Sequence, residues 1–167
     1  MIFRSECVKG EIPLIIDPKG MDWKKYSGAT VVTPNLKELA EAAKTDARND
    51  DKIIKALADK IRKRFAIENL IVTRSEKGLS VISGEQAVHI STYAQEVFDV
   101  SGAGDTVIAV LGAALAAGIG MVDAAHLANL AAGIVVGKLG TYAVKRQELM
   151  DAFHDFCNDD AVKEETI

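Results

Sequence analysis

The sequence predicts an α/β fold: a sheet, parallel at least in its first strands, with helices covering both faces. Three observations carry this expectation. Short apolar and β-branched runs alternate with stretches of helical length, those stretches are amphipathic or Ala-rich, and Gly or Pro marks the joints.

Pro13-Leu14-Ile15-Ile16-Asp17 is apolar and stops at Asp-Pro, which predicts a buried strand. Thr30-Val31-Val32-Thr33 is a second such run, halted by Pro34, and residues 35–43 follow with helical propensity. Over residues 50–65, Ile53, Ile54, Leu57, Ala58, Ile61 and Phe65 recur three or four apart, the spacing of an amphipathic helix. Its other face, including Lys60, Arg62, Lys63 and Arg64, is expected to be solvated. Residues 69–73, 79–82 and 87–90 read as strands, the last two forming a hairpin across Ser83-Gly84-Glu85. Apolar, Ala-rich helices are expected over 103–117 and 122–138, and a closing helix over 147–156 with Phe153 and Phe156 in the core. No repeat or linker divides the 167 residues, so residues 1–167 read as one domain.

A formal net charge of -4 argues against a nucleic-acid partner, which needs a basic patch. Phosphate would have to be held by local means. No targeting or membrane segment is visible, since the apolar run from Leu111 to Ile119 is too short and Gly-interrupted to span a bilayer. Cys7 and Cys157 lack metal-site spacing and read as free thiols, which points to the cytoplasm. His89, His126 and His154 share no ligand spacing and read as surface or core residues.

The stretch richest in chemistry is Phe98-Asp99-Val100-Ser101-Gly102-Ala103-Gly104-Asp105-Thr106, which leads into an Ala-rich helix. The first amides of a helix have no intrahelical partner, and the dipole places roughly half a positive charge there. Gly102, Ala103 and Gly104 can therefore cradle a phosphate without lysine. Asp105, in the same turn, is placed to deprotonate an attacking hydroxyl. A purely structural alternative is open, in which Asp105 only complements the helix dipole. The turn matches neither Gly-x-Gly-x-x-Gly nor the Walker phosphate loop. Asn35 and Glu38, three apart at a helix start, face one side near a strand end, where ligands collect, and read either as a ligand-facing pair or as a capping box. Lys19 reads either as a phosphate-directed charge or as an exposed turn lysine.

The run Asp99-Val100-Ser101-Gly102-Ala103-Gly104-Asp105 resembles the C-terminal signature of the ribokinase-like (PfkB) carbohydrate kinases. That resemblance implies a three-layer, Rossmann-like sheet, with Asp105 as catalytic base and the amides of Gly102, Ala103 and Gly104 as anion hole. Thr33-Pro34-Asn35-Leu36-Lys37-Glu38 is similar to the family's Asn-x-x-Glu motif, implying that Asn35 and Glu38 contact ATP phosphates and that Glu38 organises Mg²⁺ through water. Thr73 and Gly78 resemble the nucleotide-contacting loop, and Asn129 and Gly133 resemble positions bordering adenine and ribose. Val110 departs from the Ala or Gly common in the family.

Within the family, Asp17-Pro18-Lys19-Gly20, Thr73-Arg74-Ser75-Glu76-Lys77-Gly78 and Val135 to Thr141 look closest to the heptose 7-phosphate kinase branch. The activity implied is ATP-dependent phosphorylation of the anomeric hydroxyl of a heptose 7-phosphate, for lipopolysaccharide precursors. Family members are about twice as long, so the chain reads as a C-terminal half lacking the portion with most sugar contacts and the lid. An open sheet edge is expected to favour self-association or pairing with a complementary N-terminal half.

Overall fold

In the computed structural model the apolar runs become five strands: β1 (Ile15–Ile16), β2 (Val31–Val32), β3 (Asn69–Thr73), β4 (Leu79–Ser83) and β5 (Gln86–Ile90). They pair into one sheet in that order. The structure describes residues 2–10, 12–94 and 96–164. β1, β2 and β3 run parallel, whereas β3–β4 and β4–β5 are antiparallel hairpins. Parallel strands need a crossover between them. A 3₁₀ turn (Trp23–Tyr26) lies in the first crossover, and α2 (Leu36–Ala43) and α3 (Asp51–Phe65) fill the second.

Successive strand side chains point to opposite faces, so neighbouring residues of one strand feed different cores. Val32, Leu70, Val72 and Ile82 pack with the first layer, where α3 contributes Ile54, Ala58, Ile61 and Phe65. Trp23 meets Tyr26 edge-on at 6.0 Å and Phe65 at 6.3 Å, closing that layer over the sheet. Val31, Ile71, Leu79 and Val81 pack on the opposite side against α4 (Ala103–Ala116) and α5 (Met121–Val136), through Val107, Leu111 and a row of buried alanines. Each fully buried aliphatic side chain here contributes about 1.5–3 kcal/mol by leaving water. The result is the layered α/β arrangement that the sequence predicts.

Four details differ from the sequence reading. β1 is half-buried rather than buried, because only two residues pair and it lies at one end of the described strand order. The basic face of α3 is not simply solvated: Arg62 donates from NH2 to Gly84 O at 2.6 Å, and Lys63 Nζ lies 3.1 Å from Glu85 Oε1, fastening the helix to the β4–β5 turn. Long basic side chains reach such carbonyls by lying along the helix. The closing helix α6 extends over Arg146–Glu164, where Ala152 rather than Phe153 occupies the buried stripe and leaves Phe153 45% exposed. Phe156 instead faces the His126 ring at 5.7 Å. Finally, α1 (Ile2–Lys9) precedes β1, where the sequence shows no apolar repeat.

Cys7 and Cys157 are both free. No helix among the described residues is long and apolar enough to cross a membrane.

Candidate active site

The three parallel strands end on one edge of the sheet, the edge where α/β proteins gather ligands. Asp17 follows β1, Thr33 follows β2 and Thr73 ends β3. The N-termini of α2 and α4 come to the same edge, so two helix dipoles present positive ends to one polar cleft of about 160 Å³. Lys19, Asn35, Glu38, Thr73, Gly102, Gly104 and Asp105 line it, together with Asp17 and Thr33.

Each wall has a local cause. The turn after β1 is pinned from the 3₁₀ turn, because the Tyr26 hydroxyl accepts from Lys19 N at 2.7 Å and donates to Lys19 O at 3.0 Å. Lys19 Nζ then reaches Asp17 Oδ2 at 2.9 Å and Glu38 Oε1 at 3.5 Å. The Asp17 carboxylate, and after it Glu38, raises the Lys19 pKa and reinforces its charge. At α2, Asn35 caps the helix while Glu38 completes the capping box. Pro34 O accepts from Thr73 N at 2.9 Å, which joins this corner to the end of β3.

α4 begins differently. Gly102 is its N-cap with φ 81, a left-handed conformation that favours glycine, and no side chain caps the helix. Asp99 braces the approach: its Oδ1 accepts from Ser101 N at 2.8 Å and its Oδ2 from Gly140 N at 3.2 Å. Hydrogen bonding from Ser101, and then from the Gly140 amide, holds the Asp99 carboxyl below its ordinary pKa. The sequence groups Gly102, Ala103 and Gly104 as one cradle, whereas the structure divides them. Gly102 and Gly104 face the polar cleft, while Ala103 lines a second hollow and its amide donates to Val100 O at 3.3 Å.

That second hollow measures about 420 Å³ and is mainly apolar, with Leu79, Val97, Val107, Ala132 and Val136 in its walls. Gly78, Asn129 and Gly133 also line it, and Thr73 and Gly104 belong to both hollows. The glycines here permit close backbone approach. A Cβ on Gly78 would sit 2.6 Å from Thr92 N, and closer still to Ile90 O, while one on Gly133 would sit 3.2 Å from Ala94 N. Asn129 is occupied structurally, donating Nδ2 to Ser91 O at 2.7 Å, so it anchors the segment after β5 that borders the cavity.

Every site residue expected from the sequence therefore lines one of two adjoining hollows. Asp17 and Thr33 were not among those expectations, although each stands beside one at a strand end. Ser75 and Glu76 of the second hollow lie within the Thr73 to Gly78 stretch but were not singled out, and Thr92 carried no motif signal, because its place in the wall arises from loop packing.

Residues 4–148 match the pfkB family of carbohydrate kinases, and the chain belongs to that family. It is similar to the bifunctional protein HldE of Geobacter sulfurreducens, at 54% identity over 143 residues, which is 85% of this chain and 29% of that protein. The HldE of Rhodospirillum rubrum is 49% identical over 144 residues, 86% of this chain and 29% of that protein. Among solved structures, a ribokinase from Arabidopsis thaliana complexed with ribose and ATP superposes with a TM-score of 0.81 at 24% identity, over 89% of this chain and 50% of that one. Phosphofructokinase-2 from Escherichia coli gives 0.80 at 17% identity, over 92% and 50%. The chain thus spans about half the length of those kinases and 29% of its curated relatives.

Proposed function

We propose that this chain is the nucleotide-binding, proton-transferring part of an ATP-dependent kinase acting on a sugar hydroxyl, with heptose 7-phosphate as the acceptor and its anomeric hydroxyl as the nucleophile. The observation that carries this reading is the join at Thr73 and Gly104, where an apolar cavity suited to a purine opens into a polar cleft faced by two helix N-termini and Asp105. Residues 1–167 act together as one nucleotide-binding unit. Cytoplasm is the proposed location, in keeping with two free thiols.

In this reading the base lies among the apolar walls near Gly78, Asn129 and Gly133, and the phosphates pass Thr73 toward Asn35, Lys19 and the amides of α4. Asp105 accepts the proton of the sugar hydroxyl as that oxygen bonds to the γ-phosphorus. The bond from the γ-phosphorus to the bridging oxygen breaks, leaving ADP and a sugar phosphate. Mg²⁺ fits the donor set through Glu38 and water, neutralising phosphate charge when bound. Among the described residues no group of three or more His, Cys, Asp or Glu side chains forms a metal cage, which suits a cation that keeps its waters and phosphate ligands.

Calorimetry with Mg-ADP tests the nucleotide half of the proposal. Binding is expected, and a folded sample that fails to bind at millimolar nucleotide overturns it. A second reading, a nucleotide-binding or assembly module without its own sugar site, draws on the chain spanning half the length of the solved kinases. Its proposed partners are a second copy or a polypeptide supplying the sugar contacts. Mixing the chain with the remaining portion of such a kinase, then assaying ATP with a sugar panel, separates the two, because phosphorylation by the mixture excludes a purely structural role.

A further inference from the structure

We infer that Arg74 is a positioning residue for the nucleotide: its guanidinium holds the loop after β3 in the shape that forms one wall of the apolar cavity. The inference rests on the nucleotide reading of that cavity.

The loop leaves Thr73 at the seam between the hollows and contributes Ser75, Glu76 and Gly78 to the cavity wall. A free chain would not keep this backbone. Ser75 has φ 54, in the left-handed region that L-residues with a side chain seldom adopt. Arg74 N donates to Gly78 O at 2.8 Å and Gly78 N to Ser75 O at 3.0 Å, which closes the turn but leaves its orientation on the sheet unset.

Arg74 sets it. The side chain is 2% exposed. Its Nε donates to Asn49 Oδ1 at 2.8 Å, NH1 donates to Ser80 Oγ at 3.0 Å, and NH2 lies 2.7 Å from Asp51 Oδ1. NH1 also lies 3.2 Å from His89 Nδ1, which Ser80 Oγ approaches at 2.8 Å. A guanidinium only donates, so Nδ1 is the accepting nitrogen of His89. One planar fork thus ties together the α2–α3 connection, the first turn of α3, β4 and β5. Asn49 answers by donating Nδ2 to Arg74 O at 3.2 Å, and Lys77 Nζ donates to Asn49 O at 2.6 Å, so the loop is held from side chain and backbone alike. A hairpin turn requires none of these contacts, whereas a preformed ligand wall does. Lysine, a point charge on a flexible stem, cannot replace the fork.

The test measures the Mg-ADP dissociation constant by calorimetry and the thermal midpoint for the parent chain and the variants Arg74→Lys, Asp51→Asn, Asn49→Ala and Lys63→Gln. Lys63 lines neither hollow and serves as the control. Arg74→Lys should weaken binding at least about tenfold and Asp51→Asn about threefold. Lys63→Gln should leave binding unchanged, and Asp51→Asn, which leaves the buried guanidinium without its carboxylate, should lower the midpoint as well as the affinity. Variants that lose thermal stability yet keep the parent's affinity within about twofold would overturn the assignment. Should Arg74→Lys fail to fold, unchanged affinity in both Asp51→Asn and Asn49→Ala overturns it. A parent chain that does not bind at all removes the nucleotide reading itself, and this inference with it.

Discussion

Asn35 and Glu38 close on each other across the first turn of α2: Asn35 Oδ1 accepts from Glu38 N at 2.8 Å, and Glu38 Oε2 accepts from Asn35 N at 2.9 Å. The second oxygen of Glu38 faces outward, 3.5 Å from Lys19 Nζ in the polar cleft. Capping and ligand contact are therefore compatible uses of one carboxylate. The capping box, one of two alternatives open in the sequence, forms without excluding the proposed ligand role.

Glu38→Gln separates the two uses, because glutamine can still complete a capping box while losing the charge. The thermal midpoint should stay near the parent's. Affinity for Mg-ADP should fall about tenfold or more, the scale of one hydrogen bond to a charged group, while affinity for metal-free ADP changes little. Calorimetry with and without Mg²⁺ measures both, and equal losses in the two titrations would remove Glu38 from the cation site.

Asp105→Asn, placed in a full-length kinase containing this segment, should lower kcat by roughly 10²–10⁴-fold, the usual cost of losing a general base. Nucleotide affinity should persist, since the proposed phosphate cradle would use backbone amides rather than this carboxylate. Near-normal turnover would leave Asp105 as a partner of the α4 dipole and nothing more.

Two glycines with positive φ should respond differently to alanine. Gly84 (φ 56) has nothing within 4 Å of the added Cβ, so Gly84→Ala should cost about 1–2 kcal/mol of stability from backbone strain. Gly78 (φ 75) meets backbone atoms of residues 90–92, and clash added to strain should bring Gly78→Ala to about 3 kcal/mol or more. Urea unfolding of both variants measures the difference. Similar losses would mean that the 90–92 segment yields easily and does not confine the cavity.

Glu148 supplies a pH signature. The Tyr142 hydroxyl donates to Glu148 Oε2 at 2.8 Å, and Lys145 N and Lys138 Nζ each lie 3.1 Å from its carboxylate. Tyr142 foremost, then these two, lower its pKa from 4.5 to about 2. A carboxyl depressed in the folded state contributes stability that is complete above its unfolded pKa and is lost as pH falls through the folded value. The thermal midpoint of Glu148→Gln should therefore lie below the parent's at neutral pH, and the gap should close as pH drops from about 4.5 toward 2. A gap independent of pH would rule out this carboxylate as its source.

Much of the layout was legible in the chain itself. The unbroken apolar runs Val31-Val32 and Leu70-Ile71-Val72 mark strands buried on both faces, and the three- and four-residue spacing from Ile53 to Phe65 marks a helix against one of them. Those patterns are local and periodic. Phe153 was misread because apolar character says that a side chain prefers burial without saying which stripe of a helix meets the fold, and α6 meets it through Ala152 instead.

Local spacing in Gly102-Ala103-Gly104-Asp105 encodes an uncapped helix start with a carboxylate in its first turn, since N-terminal amides and a left-handed glycine depend only on neighbouring residues. The sequence could not say that Gly102 faces the polar cleft while Ala103 lines the apolar cavity, nor that Arg74, one residue past a strand, would be buried against Asn49, Asp51, Ser80 and His89. Those partners are brought together by strand pairing and helix docking across separations of up to 25 residues. Such contacts form only once the chain has folded, because they depend on where whole elements come to rest rather than on the preferences of any one segment.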